Sequence, residues 1–374
     1  MMRWIVRIVV VLAVVEVVYL AAVNVVLNLP GTQTYINSLR PDRVLYKWDR
    51  AWSWFPFRIH ATNFKINGQG WAQQWELTAP EISASLAILP LFDKTAHLYG
   101  LETANIDARF RPRQRPDYDD SAVRQYYPVI EGRDPDSPAE AAPEQSPGWR
   151  LGLDMSTTGV NQLWVAATKM TLTGEARVIM SKQNRNGPLT LTGGYADAVA
   201  TDLTVDGKEV SKKGSVKGTF EVASYLPQDN MGFKLLAFLS IDADLDLPVD
   251  DLDFLDVYLD KVSDMKLDGT GAIKGHVVFD KGKLAAGAAV TIEADALSVA
   301  LPPYTGQGAG TVSISVAEDS PETLDANFRF TALSLDHADG TLFTGKDLDI
   351  DVERRAGLLP GENKEKVPEK VALT

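Results

Sequence analysis

Glu81-Ile82-Ser83-Ala84-Ser85-Leu86-Ala87-Ile88 alternates residue by residue, with Ile82, Ala84, Leu86 and Ile88 on one side of the repeat. Successive side chains on a strand point to opposite faces, so a period of two is what a half-buried antiparallel strand requires. The same period recurs at Ala104-Ile106-Ala108-Phe110, Ile241-Ala243-Leu245-Leu247, Val290-Ile292-Ala294-Ala296, Val312-Ile314-Val316, Leu324-Ala326-Phe328-Phe330 and Leu348-Ile350-Val352. Asn186-Gly187, Gly193-Gly194, Asp206-Gly207, Asp268-Gly269 and Asp339-Gly340 read as hairpin-type turns between such runs. Helical patterns are few, at residues 33–39, 231–239 and 252–261. The expected body is mainly β: an elongated antiparallel sheet, trough-like or sandwich-like, with a few short helices.

Ahead of that body, residues 8–29 are mostly Val, Leu, Ala and Ile. At about 1.5 Å per helical residue such a run spans a hydrocarbon layer of about 30 Å. Arg3 and Arg7 precede it and the next basic residue is Arg40. The positive-inside bias then leaves the N-terminus in the cytoplasm and the bulk of the chain across the membrane. A cleavable signal peptide fits less well, because the run is long, Glu16 interrupts it and Tyr19-Leu20-Ala21-Ala22 offers no clean small-x-small site. Glu16, Tyr19 and Asn24 share a broad helix side and are candidates for packing against a neighbouring helix. After the helix, Trp48, Trp52, Trp54, Phe55 and Phe57 cluster. Amphipathic rings suit a membrane–water boundary, and an aromatic plug closing one end of a β core is the other reading.

Residues 112–149 break the strand rhythm with repeated Pro among Asp, Glu, Arg and Gln, the composition of a linker or long excursion. Tyr118, Tyr126, Tyr127, Val129 and Ile130 form an apolar island within it, able to dock on the body or on a partner. The expected organisation is a cytoplasmic stub and anchor (1–30), a membrane-proximal aromatic segment (31–57), an N-terminal β unit (58–111), the excursion (112–149), a main β region (150–355) and a tail (356–374).

The 374 residues carry 37 Lys+Arg against 50 Asp+Glu, a net charge of −13, which argues against a nucleic-acid footprint. Absence of cysteine removes disulfides, thiol nucleophiles and thiolate metal sites. His60, His97, His276 and His337 are scattered, with no H-E-x-x-H, and no G-x-S-x-G elbow occurs. The run from Gly340 to Gly345-Lys346 lacks the Ser or Thr of a P-loop, since Asp347 follows. Asp242-x-Asp244-x-Asp246 with Asp253 approaches a calcium loop, but Leu247 stands where Gly is needed and the twelfth position is Asp. A solvated strand face explains these aspartates. No catalytic residue, metal site or cofactor is expected.

Trp52-Ser53-Trp54-Phe55-Pro56, Trp75-Glu76-Leu77-Thr78-Ala79-Pro80-Glu81-Ile82, Leu89-Pro90-Leu91-Phe92 and a return strand ending Ala108-Arg109-Phe110-Arg111 follow the single hydrophobic helix in that order. This order resembles the N-terminal portion of AsmA-like envelope proteins, a family with TamB- and YhdP-type members. Leu252-Asp253-Phe254-Leu255, Gly269-Thr270-Gly271-Ala272-Ile273-Lys274-Gly275 and Asp280-Lys281-Gly282-Lys283-Leu284 have a similar rhythm. The resemblance covers about residues 5–111 and 250–355, and it is one of rhythm. It implies a twisted sheet with an apolar inner face, anchored in the inner membrane and periplasmic, associated with phospholipid movement or outer-membrane homeostasis in Gram-negative bacteria. Two functions follow as expectations. One is lipid handling, with the bilayer and phospholipid acyl chains as partners. The other is a non-enzymatic accessory subunit whose helix and β domain pack on a larger inner-membrane complex (transporter, respiratory or photosynthetic).

Overall fold

The structure, a computed structural model, describes residues 2–115, 119–140, 148–184, 187–227, 229–230, 232–255, 266–301, 304–317, 323–337, 340–355 and 370–373. It is mainly β. Two helices come first, α1 (Met2–Asn28) and α2 (Pro30–Leu39). They are separated at Leu29, which is extended (φ −69°, ψ 133°) because the following proline disfavours helical backbone there. Pro30 itself suits the first turn of α2, where its missing N–H costs nothing. Residues 3–28 are long and apolar enough to cross a membrane.

The described chain divides into two compact units, Met1–Ala166 with Glu175–Leu191 and Leu226–Gln228, and Ala167–Gly174 with Thr192–Tyr225 and Asp229–Thr374. The first contains β1 (Val44–Lys47), β2 (Arg50–Phe55), β3 (Arg58–Gln69), β4 (Gln73–Ala87), β5 (Thr95–Thr103), β6 (Ile106–Pro112), a one-turn helix α3 (Ser121–Arg124), β7 (Arg150–Thr157) and β8 (Val160–Val165). Strands β9 (Thr168–Gln183) and β10 (Leu189–Val205) are shared between the units. β1 and β2 both pair antiparallel with β3, and β3 pairs with β4 over its full length, from Arg58↔Ser85 to Gln69↔Gln74. β4 then pairs with β5 at one end and β6 at the other. β5–β7 and β6–β8 are parallel, a pairing that alternation alone does not reveal. Strands therefore begin well before residue 58 and β7 and β8 join the N-terminal unit, so both sequence boundaries, at 58 and at 150, are crossed by pairing.

The second unit continues with β11 (Lys208–Tyr225), β12 (Leu239–Val249), β13 (Lys266–Asp280), β14 (Lys283–Leu284), β15 (Ala289–Leu301), β16 (Tyr304–Ser315), β17 (Thr323–His337), β18 (Gly340–Gly345), β19 (Leu348–Arg355) and β20 (Lys370–Leu373). Each long strand here pairs antiparallel with the next: β11–β12–β13–β15–β16–β17–β19–β20. A buried cluster there joins Val210, Val249, Leu252 and Ala294, with Leu247 and Ile273 packed against it.

Several sequence expectations need correction. Gly193-Gly194 is no turn but lies inside β10, where a Cβ on Gly194 would stand 2.4 Å from the Phe220 carbonyl oxygen. Asp268-Gly269 likewise lies inside β13, with Gly269 at φ +129° beside a register shift between Thr270 and Gly271. Glycine serves close backbone approach and a bulge at these two places. Ala104 falls in the β5–β6 turn, where Asn105 takes φ +53°. The helical expectation at 231–239 is a 3₁₀ turn over Gly232–Phe238, and that at 252–261 a 3₁₀ turn over Leu252–Leu255. Its remainder, residues 256–261, lies outside the described residues, as do Asn186, Asp339 and residues 356–369 of the tail.

Candidate functional site

Three arrangements bear on function. The first joins the N-terminal helices to the edge of the sheet. Asn24 Nδ2 donates to the Ser53 carbonyl (2.9 Å) while Ser53 N–H donates to Asn24 Oδ1 (2.9 Å). One helical turn on, Asn28 Nδ2 donates to the Ala51 carbonyl (2.7 Å) and Ala51 N–H reaches Asn28 Oδ1 at 3.4 Å. Gln33 donates to the Trp48 carbonyl (2.8 Å), and Asn37 exchanges two 2.8 Å bonds with the Tyr46 backbone. A primary amide offers the same donor–acceptor pair as a peptide group, so four side chains stand in for a strand along the open edge of β1 and β2. The spacing works because four helical residues advance about 6 Å and two strand residues about 6.8 Å.

Two of the three predicted helix-packing residues contact this chain's own sheet region. Asn24 pairs with this chain's own β2, and Tyr19 packs its ring against Phe57 (centroids 5.6 Å apart). Glu16 is exposed and has no hydrogen-bond or ion-pair partner among the described residues. The aromatic cluster is not a plug. Trp48 donates to the Leu27 carbonyl (3.1 Å) and Trp52 stacks on His60, but Trp54, Phe55 and Phe57 are exposed.

The second arrangement seats the excursion. Residues 119–140 are packed within the first unit, with arginines bonded to their backbone and with Pro128 and Ile130 buried. Arg111, buried, donates to Gln74 Oε1 (2.7 Å) and to the carbonyls of Pro128 (2.9 Å) and Arg133 (2.9 Å). Arg113, also buried, donates to Glu140 Oε1 (2.9 Å) and Ser137 Oγ (2.7 Å), and Arg133 reaches Asn67 Oδ1 (3.0 Å). Burial lowers the pKa of Arg111 and of Arg133. The Arg113 hydrogen bond holds the Glu140 carboxyl below its ordinary value. Glu76, 2 % exposed, lies between Lys65 (2.9 Å) and Arg109 (3.3 Å). Burial opposes the Lys65 charge, but hydrogen bonds to Glu131 and Glu76 outweigh it and raise the Lys65 pKa. Within the apolar island, Ile130 is buried at 1 % and Val129 exposed at 75 %. Tyr126 and Tyr127 are half-buried, the Tyr126 carbonyl accepting from Trp164, and Tyr118 lies outside the described residues. Ile130 is thus buried within this chain.

The third arrangement is a face of the second unit. Register places Leu247, Ile273, Ile292, Val312, Phe328, Ile350 and Leu373 side by side across seven strands. Parallel to it runs Val216, Leu245, Gly275, Val290, Ile314, Ala326, Val352 and Val371. A third row holds Val249, Gly271, Ala294, Gly310, Phe330 and Leu348. The intervening positions are polar: Asp246, Lys274, Thr291, Ser313, Asn327 and Asp351 share one such row. Leu245, Leu247, Ile273, Val290, Ile292, Val312 and Ile314 are all only half-buried, whereas the inner face of a closed two-sheet sandwich is covered. The Leu252 turn covers one end of the face.

No family model, curated protein or solved structure matches this chain. Fold and function therefore rest on its own residues.

The aspartates of the calcium-like run lie on the polar face of β12. Asp244 meets His276 Nδ1 at 3.0 Å and Asp242 meets His276 Nε2 at 3.4 Å. Among the described residues no cluster of three or more His, Asp or Glu is arranged to hold a metal. Asn28, Gln33 and Asn37 were not singled out in the sequence. The signal was available: amides spaced four or five apart on a helix, followed at once by strand-forming residues.

Proposed function

We propose that this chain is a non-enzymatic, membrane-anchored β protein of the AsmA-like type, with its N-terminus cytoplasmic and its body periplasmic, that handles lipid on its apolar strand face. One observation carries the proposal: two parallel apolar rows in which Leu245, Leu247, Ile273, Val290, Ile292, Val312 and Ile314 are only partly buried, beside a third row that is buried at Val249 and Ala294. Seven strands at about 4.8 Å give the central row a length of about 29 Å. That is close to the thickness of a bilayer hydrocarbon core, about 30 Å, which two acyl chains fill end to end. Each methylene withdrawn from water contributes about 0.8 kcal/mol, so even partial seating of an acyl chain stabilises a complex. The single long apolar helix and the residue rhythm that resembles the family support the same reading.

The test is mild-detergent extraction followed by native mass spectrometry and lipid analysis. Phospholipid should co-purify, and the paired change Ile292→Asp/Val312→Asp should reduce it. Absence of lipid above a detergent blank, with the fold intact, refutes the reading. One observation favours a second function, that of an accessory subunit on an inner-membrane complex. Glu16 is an exposed carboxyl in the apolar helix, and intramembrane acids usually face protein. On that reading Glu16→Leu shrinks a native membrane complex; an unchanged size refutes it.

A further inference from the structure

The helix that would anchor the chain is too short if only its free part lies in lipid. Residues 4–18 are exposed, and at about 1.5 Å each they span about 22 Å, against about 30 Å of hydrocarbon. From Tyr19 onward one side of α1 is covered by β2 and the turn that follows it. A core-spanning stretch of about 20 residues beginning between Trp4 and Ile8 ends between residues 23 and 27. Tyr19 then lies about 6–12 Å inside the boundary, and Phe57 packs on Tyr19.

We infer that the tip of the first unit's sheet, at Trp54 to Phe57 and Ile88 to Phe92, is seated in the hydrocarbon of the leaflet crossed by the C-terminal part of α1. The inference rests on the membrane-anchor reading and deepens it, since it names where lipid meets the protein. Three features support it. First, the tip is apolar and exposed: Trp54 at 69 %, Phe55 at 65 %, Leu89 at 79 % and Phe92 at 82 %. The two halves are joined, because Leu86 N–H donates to the Phe57 carbonyl (2.9 Å).

Second, the strand edge that leads into the tip is provided with backbone partners, as a lipid-exposed segment must be. The Ser53 and Ala51 peptide groups are bonded to the Asn24 and Asn28 amides. Ser53 Oγ lies 2.7 Å from both the Phe55 and Arg58 carbonyl oxygens. Pro56 and Pro90, one in each half, have no N–H to desolvate. An open strand edge does not enter lipid, and here side-chain amides mask the edge.

Third, the Arg58 charge beside the tip points away from it. Arg58 pairs with Ser85, yet its guanidinium extends to Glu102 (3.8 Å), which is in register with Ser83, further from the tip. Asp93, Lys94 and Arg150, all exposed where the chain returns to β5, bound the apolar tip on that side. A sheet edge lying in the leaflet lets acyl chains reach protein without first crossing water.

Because the chain has no cysteine, single nitroxide labels can be placed without background. Labels at Phe92→Cys, Trp54→Cys, Val14→Cys and Val129→Cys are compared in vesicles of phosphatidylethanolamine and phosphatidylglycerol. Val129 serves as the aqueous reference. It lies level with Glu76, both being contacted by Arg109, and so is ten strand residues, about 33 Å, up β4 from Leu86. The expected result is loss of collisions with a water-soluble nickel chelate at positions 92 and 54, as at 14, with collisions with oxygen retained. Nickel access at 92 and 54 equal to that at 129, with position 14 protected, overturns the inference and leaves the anchor standing. Nickel access at position 14 overturns both. Protection of 92 and 54 from oxygen as well as nickel signals a protein cover and also overturns the inference.

Discussion

Replacing Arg111 with Met tests whether arginine clamps hold the excursion. The guanidinium is buried and donates to Gln74 Oε1 and to the carbonyls of Pro128 and Arg133, so one side chain ties β4 to two points of the excursion. Hydrogen bonds from a charged donor contribute about 1.5–3 kcal/mol each, about 5–9 kcal/mol gross for three. Desolvating the cation takes back several kcal/mol, an effect visible in the lowered Arg111 pKa. A net loss of about 2–4 kcal/mol remains, at a tenfold change per 1.4 kcal/mol about 30- to 700-fold in the open population of the excursion. Arg124 and Arg133 lie within it and are trypsin sites. Where reclosing outruns cleavage, the cleavage rate follows the open population. Native-state trypsinolysis of Arg111→Met should therefore accelerate at Arg124 and Arg133 by that factor, with little change elsewhere. Arg111→Lys should not restore protection, since a point charge does not span three acceptors. Unchanged cleavage at both sites, or acceleration spread over the whole chain, refutes the clamp.

Three further outcomes are expected. Asn24→Leu leaves the buried Ser53 N–H and carbonyl unpaired, a loss of about 2–4 kcal/mol of local stability, and hydrogen exchange at Ser53 should accelerate while that of β13 stays constant. Glu140 has a depressed carboxyl pKa, so its contribution is full above its unfolded value and fades as pH falls through the lower folded value. Exchange protection at Ala139 and Glu140 should accordingly drop on acidification below about pH 4.5, and Glu140→Gln should flatten that dependence. Gly269→Ala would place a Cβ 1.7 Å from the Ala296 carbonyl oxygen at φ +129°, so its melting temperature should fall by more than that of an alanine change at Gly31, which has open space around it.

The strands legible in the sequence were those with one clean apolar face, such as β4 and β12. β9, β10 and β11 run 16, 17 and 18 residues, yet their apolar positions are interrupted by Gly, Lys and Thr, and they are held by ladders that any sequence can form. Asp206-Gly207 does make a turn, between β10 and β11, whereas Asp268-Gly269 does not. The dipeptides are equivalent locally; only the neighbouring Ala296 carbonyl separates them. The excursion looked unable to fold because apolar content was the criterion, and guanidinium-to-carbonyl bonding leaves no trace in hydropathy. The helix-side amides were visible, but whether their partner was another helix or a strand edge depended on how the chain turned at Leu29-Pro30.

The pairing pattern also sets an order of assembly. In the second unit each long strand needs only the one before it, so the sheet grows hairpin by hairpin as the chain emerges, with short loop closures throughout. The first unit cannot finish that way. β5 waits for β7 across the gap from Thr95 to Arg150, and β7 in turn waits for β9, as far as Gln183. The segment nearest the N-terminal helix is synthesised first and completed late, with β5 and β6 holding unpaired edges until residues 150–165 arrive. Destabilising changes in β7 should therefore be felt in the yield of folded protein before they are felt in the stability of what folds.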